Sequence, residues 1–265
     1  AKKKSDNIAK VTQLDAVVKY AAKIAAENSI PPIKQIWMPP LPKTVYLEEL
    51  ADIPKPEGFS LLLPVGLADN PESQSQYPVA ADFLTDGHLL VCGAGGSGRT
   101  TLLQTLIYGA VSRYTPAEVN LYIADFSSRT MAVFGSLPHV GGVLFEGDDE
   151  KIAEVFELLQ KTLARRKSEF SQQGIGSFRE YVTQKSDCPA ILLFIDNYVA
   201  FIESYEQYED TLAQLSREAA SYGIYLVLSM NNSGELRSRI RQNFTAGIGL
   251  QMPDKYEFEA VVGDH

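Results

Sequence analysis

The apolar positions of this chain fall into two rhythms, and their succession predicts the architecture. Ile8, Val11, Leu14, Val17, Val18, Ala21, Ile24 and Ala25 recur at helical spacing, so the chain begins with a helix that is apolar on one face. Residues 31–42 follow, with prolines at 31, 32, 39, 40 and 42. Fixed φ angles and missing N–H donors predict an extended strap there rather than a sheet strand. Trp37, the only tryptophan, is expected to anchor the strap by burial together with Ile36, Met38 and Leu41. Thr44 to Leu50 reads as a strand or a helical turn with Leu47 and Leu50 facing the body. Leu61–Leu67 and Tyr77–Phe83 are apolar runs joined by a polar, turn-rich loop, which predicts an antiparallel hairpin at a sheet edge.

From residue 88 onward, apolar runs of strand length alternate with helical patterns. Strands are expected in the run ending at Cys92 and at 119–124, 190–195, 224–229 and 246–251. Helices are expected at 100–113, from Asp148 or Asp149 along the stripe Ile152, Val155, Phe156, Leu159 and Leu163, at 208–222 with Gly223 as C-cap, and at 234–242. Arg165, Arg166 and Lys167 read as favourable charge at the end of the long helix. Ser136 to Gly142 reads as a loop. Strands alternating with helices predict an α/β fold, a mostly parallel sheet with helices on both faces and its ligand at the strands' carboxyl ends.

Composition narrows the function. A chain of 265 residues suits one large α/β domain with an appendage. The net charge of −9 argues against a domain that wraps nucleic acid on its own. Cys92 and Cys188 are the only cysteines, too few for a disulfide framework or a zinc site, so a reducing cytosol is expected. No apolar stretch approaches the roughly 20 residues that span a bilayer, no signal peptide precedes the first helix, and Lys2–Lys4 reads as a solvated end.

The chemistry gathers around residues 88–104. An apolar run, a glycine-rich turn and a run of helix formers give the context of a phosphate-binding loop. Gly93 to Thr100 matches G-x-x-x-x-G-K-[ST] except that Arg99 stands at the lysine. Gly93, Ala94, Gly95, Gly96, Ser97, Gly98, Arg99, Thr100 and Thr101 would turn backbone N–H groups toward the phosphates of ATP, helped by the helix that follows. Thr100 would place its hydroxyl on Mg²⁺, and Asp196, at the end of the most apolar strand, would hold the same ion through water. Asn197 and Asn231 end up beside them. An amide at 197 cannot take a proton, and general-base catalysis is typically worth about 10²–10⁴ in rate.

These residues carry a resemblance. Residues 61–265 resemble FtsK/SpoIIIE-type ATPase domains, and among them those of the EssC/EccC family of type VII secretion. The likeness rests on the loop Gly93–Thr100, Leu137-Pro-His-Val-Gly141, Phe178-Arg-Glu-Tyr181, the strand ending in Asp196, and Gly223-Ile-Tyr-Leu-Val-Leu228. It also rests on Asn243-Phe244 and on the preceding Trp37-Met-Pro-Pro-Leu-Pro42, typical of straps between tandem domains. The resemblance implies a RecA-like P-loop NTPase core. Residues 1–45 would be the helix and interdomain strap, and 46–265 an ATPase domain that stops short of the closing segment such domains usually have.

It further implies a cytoplasmic domain of a cell-membrane-anchored bacterial protein that exports small helical WXG100-type proteins. Its partners would be neighbouring ATPase domains of the same chain, other secretion-system membrane components and, in the full assembly, the other subunits of a hexamer. The pattern is altered at Arg99, at Asn197 in place of a glutamate, at Asn231 where glutamine is common, and at Gly247 and Gln251 where arginine is often found. Arginine is bulkier than lysine and prefers bidentate geometry, so it does not reproduce a point charge between phosphates. Two readings follow, a degenerate domain that binds nucleotide weakly or not at all and acts in interaction and regulation, or a slow ATPase completed by a neighbour's arginine. The paired changes favour the first. A DNA translocase of the same superfamily fits the acidic balance and the strap less well.

Overall fold

The computed structural model describes residues 12–31, 38–50, 53, 58–185 and 188–263. The expectations for Ile8, Val11, Ile36 and Trp37 lie outside them. The chain divides into two units, Ala1–Pro40 with Asp69–Gln76, and Leu41–Ala68 with Tyr77–His265.

In the first unit, helix α1 (Gln13–Glu27) starts from a reciprocal cap. The Asp15 N–H donates to the Thr12 hydroxyl oxygen at 3.1 Å, and the Thr12 N–H donates back to the Asp15 carboxylate at 2.9 Å. Its apolar face stays in solvent, with Leu14 71% and Val17 63% exposed. The Pro39 carbonyl accepts from Gln76 Nε2 at 2.7 Å. Leu41, which opens the second unit, is 40% exposed, so the expectation that it is buried with the strap does not hold for it.

In the second unit, Leu47–Leu50 forms a short 3-10 turn that buries Leu50. Strands β1 (Leu62–Asn70) and β2 (Ser75–Asp82) make a two-stranded sheet of their own, whose connecting end, Asp69–Gln76, belongs to the first unit. Their four-residue connection permits only antiparallel pairing. The hairpin is as expected, but the edges of the larger sheet belong to other strands. A short helix α2 (Phe83–Asp86) then leads into the main fold.

That fold is a six-stranded sheet of β3 (Leu89–Cys92), β4 (Val119–Asp125), β5 (Val140–Leu144), β6 (Ala190–Asp196), β7 (Ile224–Met230) and β8 (Ala246–Gly249), in the order β5-β4-β6-β7-β3-β8. Every neighbouring pair runs parallel. All seven residues of β6 and all seven of β7 are buried, as a central strand covered on both faces requires. Alternate side chains point to opposite faces. Leu193, Ile195, Leu226 and Leu228 meet helices α4 (Asp149–Gln173), α6 (Tyr198–Ser204) and α7 (Glu209–Glu218). Leu192, Phe194, Tyr225 and Val227 meet α3 (Arg99–Arg113) and α5 (Phe178–Gln184).

Four expectations need correction. Residues 140–144 form β5, not a loop, because Val140, Val143 and Leu144 pair with β4 and the two glycines between them only mask the strand. Helix α4 runs on to Gln173, so Arg166 lies mid-helix and does not serve as a terminal charge. It is 1% exposed and donates to the carbonyls of Tyr222, Gly223 and Pro189 at 2.7, 3.1 and 2.6 Å, tying the starts of β6 and β7 to the helix. The helix expected at 234–242 is a 3-10 turn, Ser233–Glu235, and a single turn α8 (Ser238–Arg241). The last strand ends at Gly249, two residues earlier than expected, and helix α9 (Lys255–Val262) packs on it. Any side chain at Gly247 would overlap the Val261 carbonyl, so an arginine there and α9 in this position exclude one another.

His88, just ahead of β3, is 1% exposed. Its Nδ1 accepts the Leu226 N–H at 2.9 Å, leaving Nε2–H to donate to the Ser216 carbonyl at 3.0 Å. Both nitrogens of the neutral ring are thus used, and burial holds its pKa down to about 4 from 6.5. Between those values the unfolded chain binds a proton that the folded chain does not, so stability falls as pH drops through this window and is flat above it. Urea unfolding followed by circular dichroism should show this residue contributing about 2 kcal/mol less at pH 5 than at pH 7. His88→Gln should remove that part of the slope, and an unchanged slope would contradict the assignment.

Candidate functional site

The site forms where β3, β7 and β6 end side by side. The loop after β3 is stitched to both strands that flank it. The Gly93 N–H donates to the Met230 and Asn231 carbonyls at 3.2 and 3.1 Å, and the Ala94 N–H to the Gln251 carbonyl at 2.8 Å. Gly93 must be glycine, since a Cβ there would lie 2.5 Å from Ser97 Oγ and 2.9 Å from Leu250. Gly96 and Gly98 adopt φ of +79° and +100°, a region that L side chains rarely enter. The chain then enters α3 without a side-chain cap. The first-turn N–H groups of a helix have no carbonyl four residues back, so those of Arg99, Thr100 and Thr101 open onto the loop's concavity.

Thr100 and Asp196 meet. The Thr100 hydroxyl donates to Asp196 Oδ2 at 2.6 Å. The other carboxylate oxygen, Oδ1, accepts from the Ser229 hydroxyl at 2.5 Å. Asp196 is 2% exposed, so both oxygens are committed in a dry setting. Arg99 turns aside, its Nη1 donating to Asn231 Oδ1 at 2.9 Å. The Asn231 amide and backbone N–H in turn donate to Glu235 at 3.1 and 3.0 Å. The orientation of that amide is fixed by chemistry, because a guanidinium only donates and a carboxylate only accepts. Nearby, burial pushes the Cys92 thiol up to about 12, which makes it an inert wall.

Asn197 has a local role of its own. It sits at φ 64°, ψ 68° ahead of α6. Its N–H donates to Ser229 Oγ at 2.9 Å and its Nδ2 to the Phe126 carbonyl at 3.2 Å. Asparagine enters this left-handed region readily and most other residues do not. Asp125 ends β4 level with Asp196, but its carboxylate accepts the N–H groups of Ser127, Ser128 and Met131 and is spent on that loop.

Arg99, Thr100, Asp196, Asn197 and Asn231 thus lie together at the strand ends, and Ser229 and Glu235 join them unforeseen. The N–H groups of Gly93, Ala94 and Ser97, expected to turn toward phosphates, are instead bonded to the carbonyls of Met230, Asn231, Gln251 and Ala94, which fixes the loop to the strand ends. Ser229 is hidden in the apolar run 224–230. Glu235 lay within a stretch expected to be a plain helix.

The FtsK/SpoIIIE family model matches residues 45–263. The chain belongs to the FtsK/SpoIIIE family. Across 262 residues it is 28% identical to the type VII secretion system protein EssC of Staphylococcus aureus strain MRSA252, covering 96% of this chain and 18% of that protein. Among solved structures it is similar to the cytoplasmic domain of the Thermomonospora curvata type VII secretion ATPase EccC, with a TM-score of 0.79 and 32% identity over 86% of this chain and 29% of that one. It is also similar to ATPases 2 and 3 of the same EccC in complex with a signal sequence peptide, with a TM-score of 0.71 and 33% identity over 75% of this chain and 37% of that one. The chain thus spans about a fifth of the curated relatives it matches. Its parallel sheet and glycine loop are the RecA-like P-loop fold of these FtsK/SpoIIIE domains.

ATP and Mg²⁺, which this family implies, fit the residues present. The first-turn N–H groups of α3 have no carbonyl four residues back, and Ser97 Oγ is buried there with no hydrogen-bond partner among the described residues. Among those residues no group of three His, Cys, Asp or Glu could hold a metal alone. An ion would be held by Thr100 and Asp196 together with phosphate oxygens, a hard-oxygen set that suits Mg²⁺.

If Asn197 is there for its backbone geometry, Asn197→Gly should change unfolding free energy by less than about 1 kcal/mol, the helix-entry φ compensating the lost side-chain bond. Asn197→Glu should cost about 1–2 kcal/mol from the left-handed backbone. Urea unfolding of the three proteins checks this, and a Glu variant as stable as the wild type would contradict it.

Proposed function

We propose that this chain is a late, catalytically degenerate ATPase domain of a type VII secretion motor of the EssC/EccC kind, with residues 46–265 as the domain and 1–45 as helix and strap. It binds ATP with Mg²⁺ weakly, turns it over little or not at all alone, and acts in substrate interaction, assembly or regulation of export. One combination supports the reading. The Thr100–Asp196 pair needed for the metal is intact, whereas Arg99 is engaged by Asn231 and position 197 holds an amide committed to a turn. The binding half of the machinery is kept and the hydrolytic half is not.

The partners proposed are neighbouring ATPase domains of a longer chain, WXG100-type exported proteins, other membrane components of the system and the subunits of a hexamer. The solved EccC complex with a signal sequence peptide supports a substrate-facing role. The proposed setting is the cytoplasmic side of a membrane-anchored protein. Among the described residues no helix is long and apolar enough to cross a membrane.

Titration of the chain with a fluorescent ATP analogue, with and without Mg²⁺, should give saturable binding that Mg²⁺ tightens. Phosphate release should stay at the no-enzyme background and be unaffected by Asp196→Ala. Robust Mg²⁺-dependent turnover that Asp196→Ala abolishes would overturn degeneracy in favour of a working ATPase. Turnover that appears only on adding a neighbouring domain would favour completion by that domain's arginine.

A further inference from the structure

Ser229 is a polar residue at the end of a strand whose purpose is otherwise burial. Its neighbours in β7, Leu226, Val227, Leu228 and Met230, are all 0% exposed, and so is Ser229 itself. A buried hydroxyl is costly unless its hydrogen bonds are made. Here both are. Its single proton goes to Asp196 Oδ1 at 2.5 Å, and its oxygen accepts the Asn197 N–H at 2.9 Å. The β6–β7 register pairs Ile195 with Leu228, which sets Ser229 level with Asp196. On its other side Ser229 pairs with Val91 of β3, two residues before the glycine loop. Two residues further on, just past the end of β7, Asn231 receives Arg99.

We infer that Ser229 is a positioning residue for the metal carboxylate. A carboxylate's terminal torsion is broad and roughly two-fold, so Asp196 has no strong orientation of its own. Ser229 supplies one by fixing Oδ1, which leaves Oδ2 turned toward Thr100 and the place an ion would occupy. The same hydroxyl holds the Asn197 N–H and so sets the direction in which the chain leaves β6. An alanine would fill the space but leave a carboxylate oxygen and an amide N–H unpaired in a dry site. The inference rests on the Mg²⁺–nucleotide reading above and names a residue on which that reading depends.

The test is a Mg²⁺ titration at fixed fluorescent ATP analogue for wild type, Ser229→Ala, Ser229→Thr and Asp196→Ala. Ser229→Ala should weaken apparent Mg²⁺ affinity about 10–100-fold, the usual effect of losing a partner that orients a metal ligand. Ser229→Thr, which keeps the hydroxyl, should restore most of it, and Asp196→Ala should abolish the Mg²⁺ effect. Amide hydrogen exchange gives a readout that needs neither nucleotide nor a folded variant. In the unmutated chain the Asn197 N–H should be slow to exchange. In Ser229→Ala it should speed up while the Ile195 N–H stays slow. A Mg²⁺ effect present in wild type and unchanged in Ser229→Ala overturns the role of Ser229 alone, as does rapid Asn197 exchange in the unmutated chain. No Mg²⁺ effect in wild type overturns the metal reading and this role together.

Discussion

One carboxylate holds the site together. Asp196 ends β6, whereas the hydroxyl that meets it, Thr100, comes from the helix after β3, and β7 lies between the two strands. The contact at 2.6 Å is possible because parallel strands bring their carboxyl ends to one level and because β6 and β7 are buried along their whole length. Buried strands leave little freedom to slide, since interiors are close-packed and resist small shifts. The glycine loop is referred to the same frame by its own N–H bonds to the ends of β7 and β8. What looks like a local loop motif is therefore a property of the sheet.

Four of the five altered positions, Arg99, Asn197, Asn231 and Gly247, have side-chain or packing roles in that frame. Arg99 joins Asn231 and Glu235 in a hydrogen-bonded line, Asn197 supplies a left-handed turn with two bonds, and Gly247 makes room for α9. None leaves an unsatisfied gap where a more usual residue is missing. Arg99 Nη1 is held by Asn231, so a nucleotide must draw Arg99 away from that bond or use its remaining N–H donors. On the proposed reading, weak binding and poor catalysis share a cause in this one set of contacts.

Much of this was legible from the chain because it rests on short-range rules. Continuous apolar runs gave β4, β6 and β7, and the glycine spacing gave the loop and the start of α3. The failures come from interactions that join distant residues. Val140–Leu144 reads as a loop by its glycines and becomes β5 only through pairing with β4. Arg166 looks like a terminal charge until three carbonyls 23 to 57 residues away claim it. Ser229 is one hydroxyl in an apolar run, and only the neighbouring strand shows what it is for. Tyr198–Ser204 and Lys255–Val262 are helices whose short patterns no periodicity window separates from loop.

The proposed reading requires a nucleotide cradle that still binds and chemistry that is impaired at Arg99 and Asn197. Steady-state turnover of Arg99→Lys, Asn197→Glu and the double variant measures it directly. Two groups acting on the same phosphate should be coupled. Mg²⁺-dependent turnover in the double variant should exceed the product of the single effects, even with the backbone strain that Asn197→Glu introduces. A folded double variant that turns over ATP no faster than the wild type would contradict it.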